Sequence, residues 1–188
     1  RASMLRRAVL MLLVPCLPLA ASAERATVYA GTWGPAGARH GHVYRHESGT
    51  TWTDLSPAGL ADCVWDLEWI DGELWAATHD GPPSFEDPDT PHGSAGRIFK
   101  WDGSAWQDMS PPGGVSSAVT TVSNVGEQAY ITLDHIGLLR HAGGTSWDVV
   151  AMFRLAAQAI VSSSHDGRPL LYLGQDHTDE FWVHDPEG

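Results

Sequence analysis

The segment GTTWTDLSP at residues 49–57 returns as GSAWQDMSP at residues 103–111, and a shorter echo, GTSWDVV, runs from Gly144 to Val150. Each copy puts a Gly-containing turn just before a Trp. The same phrase three times in 188 residues points to a repeat architecture, which has to be recognised before single elements are assigned.

Anchored on Trp52, Trp106 and Trp147, the copies stand 54 and 41 residues apart. One insertion accounts for the mismatch, the loop GPPSFEDPDTPHGSA from Gly81 to Ala95. Thirteen residues past each Trp come Trp65, Val119 and Ile160, in or at the start of the apolar runs VWDLEWI, AVTTVS and AIVSSS. A second run follows each one: ELWAAT, QAYITL and LLYLG. Between the runs lie the turn signals Asp71-Gly72, Gly126-Glu127 and Asp166-Gly167, so each pair reads as a hairpin. A third run, such as HVYRH at 42–46 or GRIFKW at 96–101, precedes the Trp strand. The unit is four short strands, a to d, without a helix.

Four strands in a repeat of about 40 to 50 residues make the pattern of a β-propeller blade. The expected fold is all-β, a partial β-propeller of about three and a half four-stranded antiparallel blades. The blades cover residues 24–57, 64–111, 118–150 and, incompletely, 156–188. A β-sandwich also has many short strands, but it does not need one turn and one offset three times. The stretch ATVYAGTW aligns with strand b, with Tyr29 matching Trp75. Blade one then has no strand a of its own, and the chain reads as a fragment of a larger ring. An open arc of this kind exposes an edge and is expected to be unstable or to associate.

Composition agrees with a turn-rich globular chain: 43% hydrophobic, 18% charged, nine Trp and 20 Gly. Residues 1–23 read as a secretory signal peptide. Met4 is the start, Arg6 and Arg7 form the basic region, Ala8 to Leu19 the apolar region, and Ala21-Ser22-Ala23 the cleavage site. That apolar run is too short to span a bilayer. The expected location is secreted or periplasmic, with no membrane insertion. The formal charge is −12. Cleavage removes Arg1, Arg6 and Arg7 and no acid, so the mature chain is more acidic still. Phosphate backbones repel such a surface, which excludes nucleic acid as a partner. Cys63 alone remains after cleavage, leaving no internal disulfide and no thiol pair.

The turn before the Trp resembles the Asp box, the bacterial neuraminidase repeat of pattern S-x-D-x-G-x-T-W. Arg45-His46-Glu47-Ser48-Gly49-Thr50-Thr51-Trp52 matches at Gly, Thr and Trp, with Glu47 where the Asp belongs. Arg140-His141-Ala142-Gly143-Gly144-Thr145-Ser146-Trp147 matches at Gly and Trp, with Ala142 in the Asp position. The turn from Trp101 to Trp106 is one residue shorter. The resemblance covers roughly residues 26–188 and implies a sialidase-like propeller in which this turn joins strands c and d, away from the ligand face. The acid of such a turn is expected to accept turn amides, and its glycine to adopt positive φ. The repeat that reveals the fold is thus scaffold.

The resemblance puts the b–c and d–a loops on the opposite face. Four and five residues past Trp75, Tyr130 and Tyr172, three loops carry His and Asp together: His79-Asp80, Asp134-His135 and Asp176-His177. Blade one has Trp33 there, followed by Arg39, His40 and His42. His79, Asp80, Asp134, His135, Asp176, His177 and Trp33 are the expected ligand-binding residues, a ring around one channel mouth. Such a ring suits a small polar ligand, a glycan or a protein, and its imidazoles and carboxylates also suit a divalent metal. No cofactor is otherwise called for. The bland alternative has each Asp capping its loop and each His solvated.

Other candidates are weaker. The 81–95 insertion carries Phe85, Glu86, Asp87, Asp89 and His92, too irregular for an EF-hand. Asp66 and Glu68 share a strand face and form a conceivable acid–base pair. A sialidase site implies an arginine cluster and an F-R-I-P-like string. Phe153-Arg154-Leu155-Ala156 is the nearest match and lacks the Pro. No G-x-S-x-G, H-E-x-x-H or phosphate loop occurs. The expected function is a ligand-binding or scaffold module without a catalytic site in this stretch. The alternative is a carbohydrate-active hydrolase with its catalytic residues mainly in further blades.

Overall fold

The computed structural model describes residues 27–32, 41–60, 63–79, 96–115, 117–134, 136–152, 157–165, 168–175 and 181–186. These residues form 14 strands and no helix. The first sheet contains β1 (Tyr29–Gly31), β2 (Val43–Ser48) and β3 (Thr51–Asp54). The second contains β4 (Cys63–Ile70), β5 (Glu73–His79), β6 (Arg97–Trp101) and β7 (Trp106–Asp108). The third contains β8 (Val119–Val125), β9 (Gln128–Leu133), β10 (Gly137–Gly143) and β11 (Ser146–Met152). The fourth contains β12 (Ala157–His165), β13 (Arg168–Gln175) and β14 (Phe181–His184). Every neighbouring pair is antiparallel and follows chain order. The architecture is therefore all-β, a succession of antiparallel meanders. No sheet closes on itself among the described residues.

The tight turns follow from their residues. Asp71 and Gly72 have φ of 49° and 78°, and Gly126 and Glu127 have 57° and 67°. Two successive positive φ values make a two-residue loop whose twist matches the strands it joins. These turns connect β4 to β5 and β8 to β9, as the sequence signals predict.

The sheets stack through their first strands. β4 packs against β8, and β8 against β12, while β1 lies beside β4. Three apolar clusters fill the gaps. Val43, Val64 and Leu74 pack between sheets one and two. Trp75, Ile98, Met109, Val122 and Ile131 pack between sheets two and three. Tyr130, Leu138, Leu171 and Leu173 pack between sheets three and four.

All three inner strands carry a bulge at one register position. Trp65 is the extra residue opposite Thr78 and Ala77, Thr120 the extra residue opposite Leu133 and Thr132, and Gln158 the extra residue opposite Gln175 and Gly174. This corrects the equal offset of thirteen. Trp65 is bulged, whereas Val119 and Ile160 are paired with Leu133 and Leu173. The aromatic anchors, in contrast, are equivalent. Trp75 pairs with Glu68, Tyr130 with Ser123 and Tyr172 with Val161, all at the same distance past the bulge. Tyr29, Trp75 and Tyr130 also face a basic residue on the next strand: Arg45, Lys100 and Arg140.

The opening repeat is a latch. Ser56 N–H donates to Asp54 Oδ1 and Ser110 N–H to Asp108 Oδ1, each at 2.9 Å. The two Ser Oγ atoms then accept the N–H of Val43 and of Ile98, each at 3.1 Å. The D-x-S triplet thus folds the end of the outermost strand back onto the start of its neighbour. The Trp makes the joint between sheets. Trp147 Nε1–H donates to Met109 O at 2.8 Å, and Trp106 Nε1–H donates to Leu55 O. Each half-buried indole N–H finds its partner at the residue inside the preceding D-x-S triplet.

The turn before the Trp is built in two ways. In sheet two, Asp102 Oδ1 accepts the amides of Ser104 and Ala105, both at 2.8 Å, as an acid in this turn should. These bonds hold its carboxyl below the usual aspartate range. In sheets one and three a histidine replaces it. His46 and His141 each donate Nε2–H to a glycine carbonyl, of Gly49 and of Gly144, at 3.0 Å. Their rings lean on Trp52 and Trp147 at 4.9 and 5.1 Å. Gly49 and Gly144 have φ of 55° and 58°, the left-handed region that favours glycine. Glu47 does not take the acid's expected place. Its carboxylate bonds Arg45 at 2.9 Å and is lowered in pKa by Thr53 first and Arg45 next.

Candidate functional site

The inner strands begin, and the second strands end, at one common end of the sheets: Cys63 pairs with His79, and Val119 with Leu133. Backbones approach closely there. Gly96 N–H donates to Ser117 O at 2.9 Å, and a Cβ on Gly96 would stand 2.5 Å from that oxygen. Val64 N–H donates to Thr32 O at 2.9 Å, and a Cβ on Gly31 would meet the Val64 side chain at 2.6 Å. Glycine is required at both positions so that one sheet can dock on the next.

Of the predicted ring, His79 and Asp134 fall within the described residues. They occupy matching places, one at the last residue of β5 and the other just past β9. Both are fully buried. The His79 ring packs against the bulged Trp65 at 5.0 Å. Asp134 N–H donates to Ala118 O at 3.0 Å, and Asp134 O accepts the Ser117 hydroxyl at 2.5 Å. Neither is a solvated loop residue; both are wall. Trp33, Asp80, His135, Asp176 and His177 lie outside the described residues, as do Arg39, His40, the 81–95 insertion and Phe153 to Ala156. Among the described residues no group of three or more His, Cys, Asp or Glu side chains is placed to hold a metal ion.

Asp66 and Glu68 lie just beyond the bulge of β4 and point toward sheet three. Asp66 is engaged at both oxygens. Oδ1 accepts Leu67 N–H at 2.9 Å and Oδ2 accepts Val122 N–H, on β8, at 3.0 Å. Burial raises its pKa, and the two amide bonds offset part of that rise. Glu68 is raised by its own burial and then by the charge of Asp66. Neither has a basic partner among the described ion pairs. An acid–base pair needs two carboxylates open to a substrate, and Asp66 is occupied on both sides.

Behind the bulge of β8 lies a hydroxyl network. Thr132 Oγ1 contacts Thr120 Oγ1 and Thr121 Oγ1, each at 2.8 Å, with all three residues buried. It satisfies polar groups inside the wall without charge.

Sequence reasoning missed one constellation, His42 with Asp54 and Ser56. His42 Nδ1 lies 2.9 Å from Asp54 Oδ2 and 3.3 Å from Ser56 Oγ. The residue types suggest a hydrolytic triad, but both partners meet the same ring nitrogen. A triad needs the nucleophile on one nitrogen and the acid on the other. Ser56 Oγ also contacts Asp54 Oδ1 at 2.5 Å and accepts Val43 N–H, so the group is part of the latch. The signal for it was present in the repeated D-x-S triplet.

No protein-family model matches the chain, and no curated protein matches it. Among the described residues no helix is long and apolar enough to cross a membrane.

Proposed function

We propose that the chain is an arc of a β-propeller that serves as a ligand-binding or scaffold module, secreted or periplasmic, related to the Asp-box proteins. The observation that carries this reading is the side-by-side packing of β4, β8 and β12, each with a bulge at the same register position. Blades set around an axis bring their first strands together in this way. Bulges re-aim side chains and gather next to functional sites. The ligand face is then the end at which β5 and β9 terminate, and its ligand is a small polar molecule, a glycan or a protein surface. His79 and Asp134 support the loops from within, which leaves direct contact to Trp33, Asp80, His135, Asp176 and His177.

A glycan array probed with the full chain tests the reading. Saturable binding lost in His135→Ala and His177→Ala, with the melting temperature unchanged, supports it. Equal losses of stability in both variants, with binding kept by the folded fraction, overturn it. The alternative, a carbohydrate-active hydrolase, would draw its catalytic residues mainly from further blades, since Asp66 is engaged at both oxygens.

A further inference from the structure

β8 is the first strand of its sheet and bonds only β9 within it. Its other edge carries main-chain amides that need partners from elsewhere. One of them, Val122 N–H, is met from the neighbouring sheet by Asp66 Oδ2 at 3.0 Å. The other oxygen of that carboxylate holds Leu67 N–H at 2.9 Å. A single ionisable group therefore ties the backbone of β4 to that of β8. The Val122 side chain is buried in the core between the same two sheets, so the tie sits over packed residues and not at a frayed end.

The equivalent position on β8 is Thr121, an uncharged hydroxyl bonded within its own sheet, and on β12 it is Ala159. The described elements packed around Asp66 contribute the following groups. β4 contributes Glu68, β5 contributes Ala77 in register with Asp66 and Trp75 in register with Glu68, and β8 contributes the Val122 amide. The one charge among them is Glu68, of the same sign.

We propose that Asp66 is a proton-operated joint between the inner strands of sheets two and three. Ionised, it accepts both amides through charge-assisted bonds. Protonated, one oxygen becomes a hydroxyl and the Val122 amide is released while the carboxyl itself stays between the sheets; there it has lost a bond that lowered its pKa, so the released state holds the proton more tightly. Burial of the carboxyl moves the change upward from the ordinary aspartate value. The joint does not depend on the propeller reading.

The test is an amide NMR titration of the full chain from pH 7 to pH 4. The Val122 and Leu67 resonances are expected to move together, with one midpoint above the usual aspartate value of about 3.9. Hydrogen-exchange protection of Val122 should fall roughly five- to tenfold below that midpoint. The Ser104 and Ala105 amides, held by Asp102, are the internal control and should move at lower pH. Glu68→Gln should lower the shared midpoint and leave the two amides coupled. Separate midpoints, a shared midpoint at or below about 3.9, or coupled movement that survives in Asp66→Asn would each overturn the proposal.

Discussion

Strands β4 and β8 are the same object in two chemistries. Each is the innermost strand of a four-stranded sheet, each has a bulge at the same place, and each is followed by a tight turn with two positive φ values. Past the bulge, β4 carries Asp66 and Glu68 where β8 carries Thr121 and Ser123. The acids are raised in pKa and lack a basic partner among the described ion pairs. The hydroxyls are buried and cost no ionisation. The backbone repeats and the side chains do not, so the repeat accounts for the fold and its departures mark where chemistry was added.

Four substitutions probe that contrast, taken from the largest expected effect to the smallest. Ile131→Ala removes a fully buried side chain from the core shared by the two sheets. It should cost about 2–5 kcal/mol in chemical denaturation, against no comparable loss for an exposed residue such as Val149. Gly96→Ala drives a methyl group against Ser117 O and Val119 N. A loss of about 1–3 kcal/mol, read from the urea midpoint, is expected, and an unchanged midpoint would mean that the sheets do not dock there. Trp147→Phe keeps a six-membered aromatic ring but deletes the indole N–H that donates to Met109 O. It should cost about 1–3 kcal/mol by thermal melting.

The smallest change, Glu68→Ser, gives β4 the residue of β8. A carboxyl whose folded pKa is raised binds its proton more tightly in the fold than in the unfolded chain. Its contribution is fully present below the unfolded value and is lost as pH rises through the folded one. Glu68→Ser should therefore raise stability at pH 7 relative to pH 4 and flatten the melting temperature between them. A steeper pH profile in the variant would refute the assignment.

The all-β order of antiparallel strands was legible because its signals are local. Trp52, Trp106 and Trp147, with Asp71-Gly72 and Gly126-Glu127, mark the strand order through turn geometry and a period. The offset of thirteen misled because a bulge moves the register by one residue without changing the apolar pattern: Trp65 and Val119 look alike in a hydropathy reading and differ in pairing. The turn acid was misread at Glu47 because a histidine at the preceding residue already bonds the glycine carbonyl. His79 and Asp134 are polar and next to loop residues, which makes them look exposed. Asp134 is held by Ser117 and Ala118 at the start of the neighbouring strand and His79 by the bulged Trp65, partners that lie 14 to 17 residues away and that local sequence does not mark. The bond from Val122 to Asp66 spans 56 residues and has no motif at either end.

The direction of the Trp latch has a consequence for synthesis. The indole always belongs to the later sheet and the carbonyl to the earlier one. Leu55 must wait for a donor 51 residues downstream, and Met109 for one 38 residues downstream. A chain delivered N-terminus first at roughly 5–20 residues per second leaves each sheet waiting for about 2–10 seconds before its outer joint can close. The D-x-S triplet needs no such wait, because its bonds run only between the last two strands of its own sheet.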